Sequence, residues 1–224
     1  MGAIEPKIND ALFSTYGAKM LSYKVGACDF TSAYLLPPRS MIPVKLSQTA
    51  GLRSITLTFD FEGDTPREIA LNISKVTALM LNMPDILLPD GFYYRCVYDK
   101  QSTPEEKAPW ISKVQYSLSG YRHGVKETVT MTQSGNITVG GNYMTPAVVR
   151  ITSAESTVKV LGVTVNNAVG VVIIDGLKKT VTKDGLNKFA DTNLTSFPML
   201  QPGLNTVDID GASEVEINFY PIFL

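Results

Sequence analysis

SITLTFDF, residues 54 to 61, alternates without a break: Ile55, Leu57, Phe59 and Phe61 on one side, Ser54, Thr56, Thr58 and Asp60 on the other. Successive side chains of a strand point to opposite faces, so this pattern predicts a strand with one buried and one wetted face. Asp64, Thr65 and Pro66 interrupt it. Thr65 is placed to cap a helix whose first turn holds Pro66, Arg67 and Glu68. Ile69, Ile73, Val76, Met80 and Met83 then recur at helical spacing, and Pro84 ends the run. This is the only strong helical stripe in the sequence.

Outward from this pair, the chain reads as strand and turn. Phe92 to Tyr98 is β-favouring, QSTPEEKAP (101–109) reads as a polar loop, and Lys126 to Thr132 and Ile137 to Val139 read as strands. The Gly- and Asn-rich SGNITVGGNYMTP (134–146) suggests a boundary, giving domains of 1–140 and 141–224. Beyond it, 147–152, 157–161 and 170–174 are short Val/Ile-rich segments. Asp175-Gly176 suits a two-residue type I′ hairpin turn, and Asp184-Gly185 and Asp210-Gly211 mark further turns. Val207 and Ile209, then Val215, Ile217 and Phe219, alternate with polar residues. Pro198 and Pro202 make 196–203 a corner, with Pro202-Gly203 at the centre of a type II turn and Phe197, Met199 and Leu200 as anchors. The fold class expected is mostly β, in two domains: a β-rich domain with one helix, then a small β-sandwich.

Composition narrows the function. Hydrophobic residues are 44% and charged residues 18% of the 224, which supports a packed core and excludes a disordered chain. A net charge of −1 with no basic block argues against nucleic-acid binding. Weak charge also offers little repulsion between copies. No apolar run is long enough to cross a membrane. The start MGAIEPKIND has neither an apolar signal core nor a myristoylation pattern, and the Asn-x-Ser/Thr triplets at Asn72, Asn136 and Asn193 carry no weight without a secretion signal. Cys28 and Cys96 are read as reduced, buried thiols.

No catalytic constellation stands out. His123, the single histidine, lies in GYRHG and reads as a surface turn residue; one histidine and two distant cysteines do not make a zinc site. Neither GxGxxG nor GxxxxGK[ST] occurs. Asp208, Asp210, Glu214 and Glu216 alternate with apolar residues and read as a solvated face rather than a calcium site or glycosidase pair, and Asp60, Glu62 and Asp64 read the same way. Tyr93, Tyr94, Tyr98 and Trp110 are the one candidate platform for stacking sugars. The sequence therefore predicts no catalytic, cofactor-binding or metal-ligating residues and no enzyme. A carbohydrate-binding module for host cell-wall glycans is the alternative reading.

VIIDGLKKTVTKDG (172–185), FP (197–198), LQPGLNTVDIDG (200–211) and VEINFYPIFL (215–224) resemble, in order and spacing, the end of distal tail proteins of long-tailed bacteriophages. RSITLTFDF followed by a helix is similar to that family's amino-terminal domain, and PIFL departs from the family's usual basic-aromatic ending. The resemblance implies an amino-terminal belt domain that assembles as a hexameric ring and a carboxyl-terminal galectin-like β-sandwich. It implies a non-enzymatic baseplate hub in the virion, made in the bacterial host cytoplasm and serving host adsorption. Its implied partners are copies of itself, the tail-tube protein and tail-tip or receptor-binding proteins. For ring contacts, 52–61 and 86–99 are the expected edges, the alternative being that both are internal to one domain.

Overall fold

The computed structural model describes residues 4–39 and 41–224; the amino-terminal MGA, on which the leader reading rests, lies outside them. The described chain is mostly β with one α-helix, Pro66–Met80. It forms two compact units, one running to Arg122 and taking in Leu224, the other His123–Phe223. The division falls earlier than 140/141. Strand Glu127–Met131 pairs with Glu214–Phe219, and Gly135–Val139 pairs with Gly203–Val207, so both belong to the later sheets.

In the first unit, one antiparallel sheet runs in the order Ala11–Leu12, Lys7–Ile8, Asp85–Leu87, Tyr93–Gln101, Ile111–His123, Val44–Glu62, Ala18–Leu35. The SITLTFDF segment is central. Ile55, Leu57, Phe59 and Phe61 stand beside Leu118, Tyr116, Val114 and Ser112 of the next strand. All four are buried, and Phe59 packs its ring on Phe13 at 4.6 Å and edge-on to Tyr116 at 6.0 Å. The helix covers this face with Ile69, Ile73, Val76 and Met80. Thr65 caps it, accepting from the Glu68 N–H at 3.2 Å. Met83 does not continue the stripe: the helix ends at Met80, and Met83 turns out at φ 48°, 58% exposed. Residues 105–108, read as loop, form an edge strand on Ile111–His123, tied by Lys113 to Glu105.

In the second unit, a six-stranded sheet runs Leu186–Asn187, Thr180–Lys183, Gly170–Asp175, Val148–Ser153, Glu214–Phe219, Glu127–Met131. Val149, Ile151, Val172, Ile174, Val215 and Ile217 from it share one core with Val158, Val160, Val165 and Val207 from the shorter opposing strands. That is a sandwich. The hairpin after Asp175 is real but its turn is longer than two residues. Asp175 pairs with Thr180, and its Oδ1 accepts from Leu177 N and Lys178 N at 2.9 Å each. Gly176 is needed there because a Cβ would meet the Ala147 carbonyl oxygen at 2.5 Å. The two-residue turn with both φ positive falls instead at Asp184 (51°) and Gly185 (78°). The proline corner forms as expected, with Gly203 at φ 91° and Asn205 bracing it: Oδ1 accepts from Gln201 N, and Nδ2 donates to the Gln201 and Gly203 carbonyls. Leu200 and Phe197 anchor it, but Met199 faces outward.

Candidate interaction surface

The side chains singled out for chemistry do not converge. His123 is 2% exposed, not a surface turn residue. Strand Ile111–His123 continues through Gly120 and ends at His123, and Gly120 serves a close approach rather than a turn, since a Cβ would meet the Arg95 carbonyl oxygen at 2.6 Å. The His123 ring lies edge-on to Tyr220 at 5.1 Å, with Nδ1 2.8 Å from the Gly124 carbonyl oxygen. Asp208, Asp210 and Glu214 are exposed, and half-buried Glu216 accepts from Asn218 Nδ2 at 2.6 Å. Asp60 is held by Lys107 at 2.7 Å. Among the described residues, no three His, Cys, Asp or Glu gather as a metal site.

The aromatic platform is also divided. Tyr94 is buried, its hydroxyl donating to Asp90 Oδ2 at 2.6 Å, and Tyr98 packs against the core. Only Trp110 is strongly exposed, over an open recess of about 370 Å³ shared with Glu62, Asp64 and Glu68. Both cysteines are free. Cys96 is buried, and burial, helped by Asp85 and Asp99, pushes its thiol up to about 12. Cys28 is only half-buried, contrary to expectation, because it lies on a thin part of the sheet; its Sγ donates to the Gly51 carbonyl at 3.1 Å.

That thin part is the feature the sequence reading missed. Strands Ala18–Leu35 and Val44–Glu62 pair along nearly their whole length, from Ala18 with Phe61 to Leu35 with Val44. The third strand stops supporting them at Arg53, opposite Gly120. Strand residues 29–35 and 44–52 therefore continue as a two-stranded arm. A ribbon of two strands has no layer to bury its side chains against. Leu35, Leu36, Val44 and Leu46 are half-exposed or more, Ile42 is 75% exposed and Met41 95%. Phe30 and Tyr34 extend the apolar surface toward the sheet. Single exposed apolar residues are ordinary, but a contiguous group on one element marks a contact site. Most of the edges expected for ring contacts, 52–61 and 86–99, is not free: 53–61 is paired on both sides, and 86–87 and 93–99 lie inside the same sheet.

No family model and no curated protein matches the chain by sequence. Solved structures do match. One is the SPP1 Dit (gp 19.1) protein, described as a paradigm of the hub adsorption apparatus in phages that infect Gram-positive bacteria. The likeness covers 98% of this chain and 99% of that one, at a TM-score of 0.70 and 14% identity. A chain of the phage P2 baseplate in its Ca-activated conformation matches over 94% of this chain and 92% of that one, with a TM-score of 0.63 and 9% identity. Its Sr-activated counterpart gives 0.62 and 10%, over 96% and 97%. At these identities the likeness is one of fold. That fold, spanning both units, is the one the resemblance to distal tail proteins implies.

Proposed function

We propose that this chain is a structural hub at the distal end of a phage tail. It assembles as a hexameric ring, joins the tail tube to the tail tip or baseplate, and works by contact rather than catalysis. The first unit is the ring-forming belt domain and the second a galectin-like sandwich that carries tip or receptor-binding proteins. The chain is synthesised in the bacterial cytoplasm and ends in the virion. The observation that carries this reading is the likeness to a hub adsorption protein over almost the full length of both chains. A shared fold does not by itself assign a function. Here the sequence resemblance and the contact-competent arm point the same way. The glycan-binding alternative loses its support with Tyr94 and Tyr98 turned into the core.

The test is location. Gold-labelled antibody, or a tagged chain, imaged on intact particles should mark the tail at its tube-distal end. Label along the tube, on the capsid, or absent from purified particles rejects the proposal.

A further inference from the structure

Trp110 sits where the fold has no packing use for it. Ala108 pairs with Ile111, so Pro109 and Trp110 make the turn between an edge strand and its neighbour, and the indole is 59% exposed. Turns favour small polar residues. Among the described residues the ring stacks on no other ring and carries no cation. Tryptophan is among the residues most enriched at the anchor points of binding surfaces. The turn is held in place, because the Trp110 carbonyl accepts from Gly63 N at 3.3 Å. Glu62 and Asp64 flank that glycine, and with Glu68 and Trp110 they line the recess of about 370 Å³. Gly63 packs tightly on the start of the helix, where a Cβ would meet Ile69 Cγ1 at 3.1 Å and Glu68 Cβ at 3.3 Å. The ring and the carboxylates are thus fixed to one corner before anything binds, which lowers the entropy lost on docking.

The helix start offers little to an anion. Its first N–H groups are already taken: Glu68 N by Thr65 Oγ1, Ile69 N by the Thr65 carbonyl at 3.1 Å and Asp64 N by Glu68 Oε2, while Pro66 has none to give. The recess is instead negative. Among the described residues neither Glu62 nor Asp64 has a side-chain hydrogen bond or an ion pair, and Lys107, three residues before Trp110, is taken up by Asp60. Free carboxylates beside a free aromatic face suit a planar cation. A guanidinium stacks on an indole and at the same time donates, through its fixed fork of N–H groups, to carboxylates at its edge. An ammonium is a more strongly hydrated point charge and lacks that fork. We infer that this recess binds the guanidinium group of an arginine side chain on a partner protein, with Trp110 stacking on it and Glu62 and Asp64 accepting its hydrogen bonds. The inference goes beyond the hub reading and does not rest on it.

The experiment titrates the full chain at low salt with the capped peptide acetyl-Gly-Arg-Gly-amide and with its lysine counterpart. Trp110 is the single tryptophan, so its fluorescence reads the recess directly, and the NMR signal of the Gly63 amide reads it where the ring has been removed. The arginine peptide should move both signals saturably and bind at least about threefold more tightly than the lysine peptide. Glu62→Gln/Asp64→Asn should weaken binding about tenfold, and Trp110→Leu should weaken it several-fold by the Gly63 signal, each with an unchanged circular dichroism spectrum. Asp208→Asn/Asp210→Asn, which removes the same charge from exposed positions in the second unit, should leave binding as in wild type. The absence of a saturable shift, equal binding of the two peptides, or an equal loss in both charge variants overturns the inference. Light scattering along the titration tests the source of the arginine: a mass that falls as peptide is added means that a second copy of the chain supplies it, which overturns the inference as well. Each of these outcomes leaves the hub reading to the particle images.

Discussion

Cys96 lies between Tyr94 and Tyr98 on the buried side of its strand, while Cys28 lies at the base of the arm, and the two thiols should behave oppositely. The thiolate is the reactive form, and burial leaves Cys96 almost none of it at neutral pH. A chromogenic disulfide reagent should titrate one thiol quickly and the second only in denaturant. Two fast thiols would show that Cys96 is not sealed. Sequence alone separated these residues poorly. Both stand in β-favouring surroundings, and what distinguishes them is whether another layer lies above the strand, which is a tertiary fact. His123 was misread for the same reason: glycines on either side signal a turn, yet Gly120 is there so that the Arg95 backbone can pass close by.

Among elements, the helix was the most legible because several local signals agreed on it. Thr65 satisfies an orphan N–H, Glu68 Oε2 accepts from Asp64 N at 2.9 Å, and four stripe residues are buried. Thr65→Ala should cost about 1 kcal/mol in urea denaturation, and Thr65→Ser much less, since serine keeps the accepting oxygen. An equal loss in both would mean that the cap is not the cause. The stripe overran its end because the i+3 spacing of Met83 persists after the backbone has left the helix, just ahead of Pro84. The arm was illegible for a different reason. The strand pair that carries it slips between Val25 and Cys28, between Cys28 and Phe30, and between Ala33 and Tyr34. Each extra residue re-phases the alternation, so a long strand pair never shows the sustained period that SITLTFDF shows. Residues 105–108 carry no apolar alternation at all, being an edge held by pairing and an ion pair.

At the scale of the molecule, the two units have chemically different interiors, which gives them different responses to alkali. The sandwich core is built of Val, Ile, Leu, Ala and Phe. The core of the first unit includes Tyr94, Cys96 and Tyr116. Burial raises the Tyr116 hydroxyl to about 12 and moves Tyr94 upward as well, with its bond to Asp90 adding to the effect. A group whose folded pKa lies above its unfolded value holds its proton in the native state after the unfolded chain has lost it. Its stabilisation is complete below the unfolded value and is lost as pH rises through the folded one. For Cys96 and Tyr116 that window runs from 9 or 10 up to about 12. Calorimetry should therefore show the transition of the first unit falling through this range while that of the sandwich holds. Trp110, the single tryptophan, lies in the first unit and identifies its transition by fluorescence. Tyrosinate absorbance from the buried rings should appear only with that transition, and loss of the sandwich first, or of both units together at neutral-pH temperatures, would refute the assignment. The same contrast bears on the proposed hub role: the sandwich should keep its fold under alkali that unfolds the unit proposed to form the ring, so alkaline treatment should break assemblies without melting the domain proposed to carry the tip.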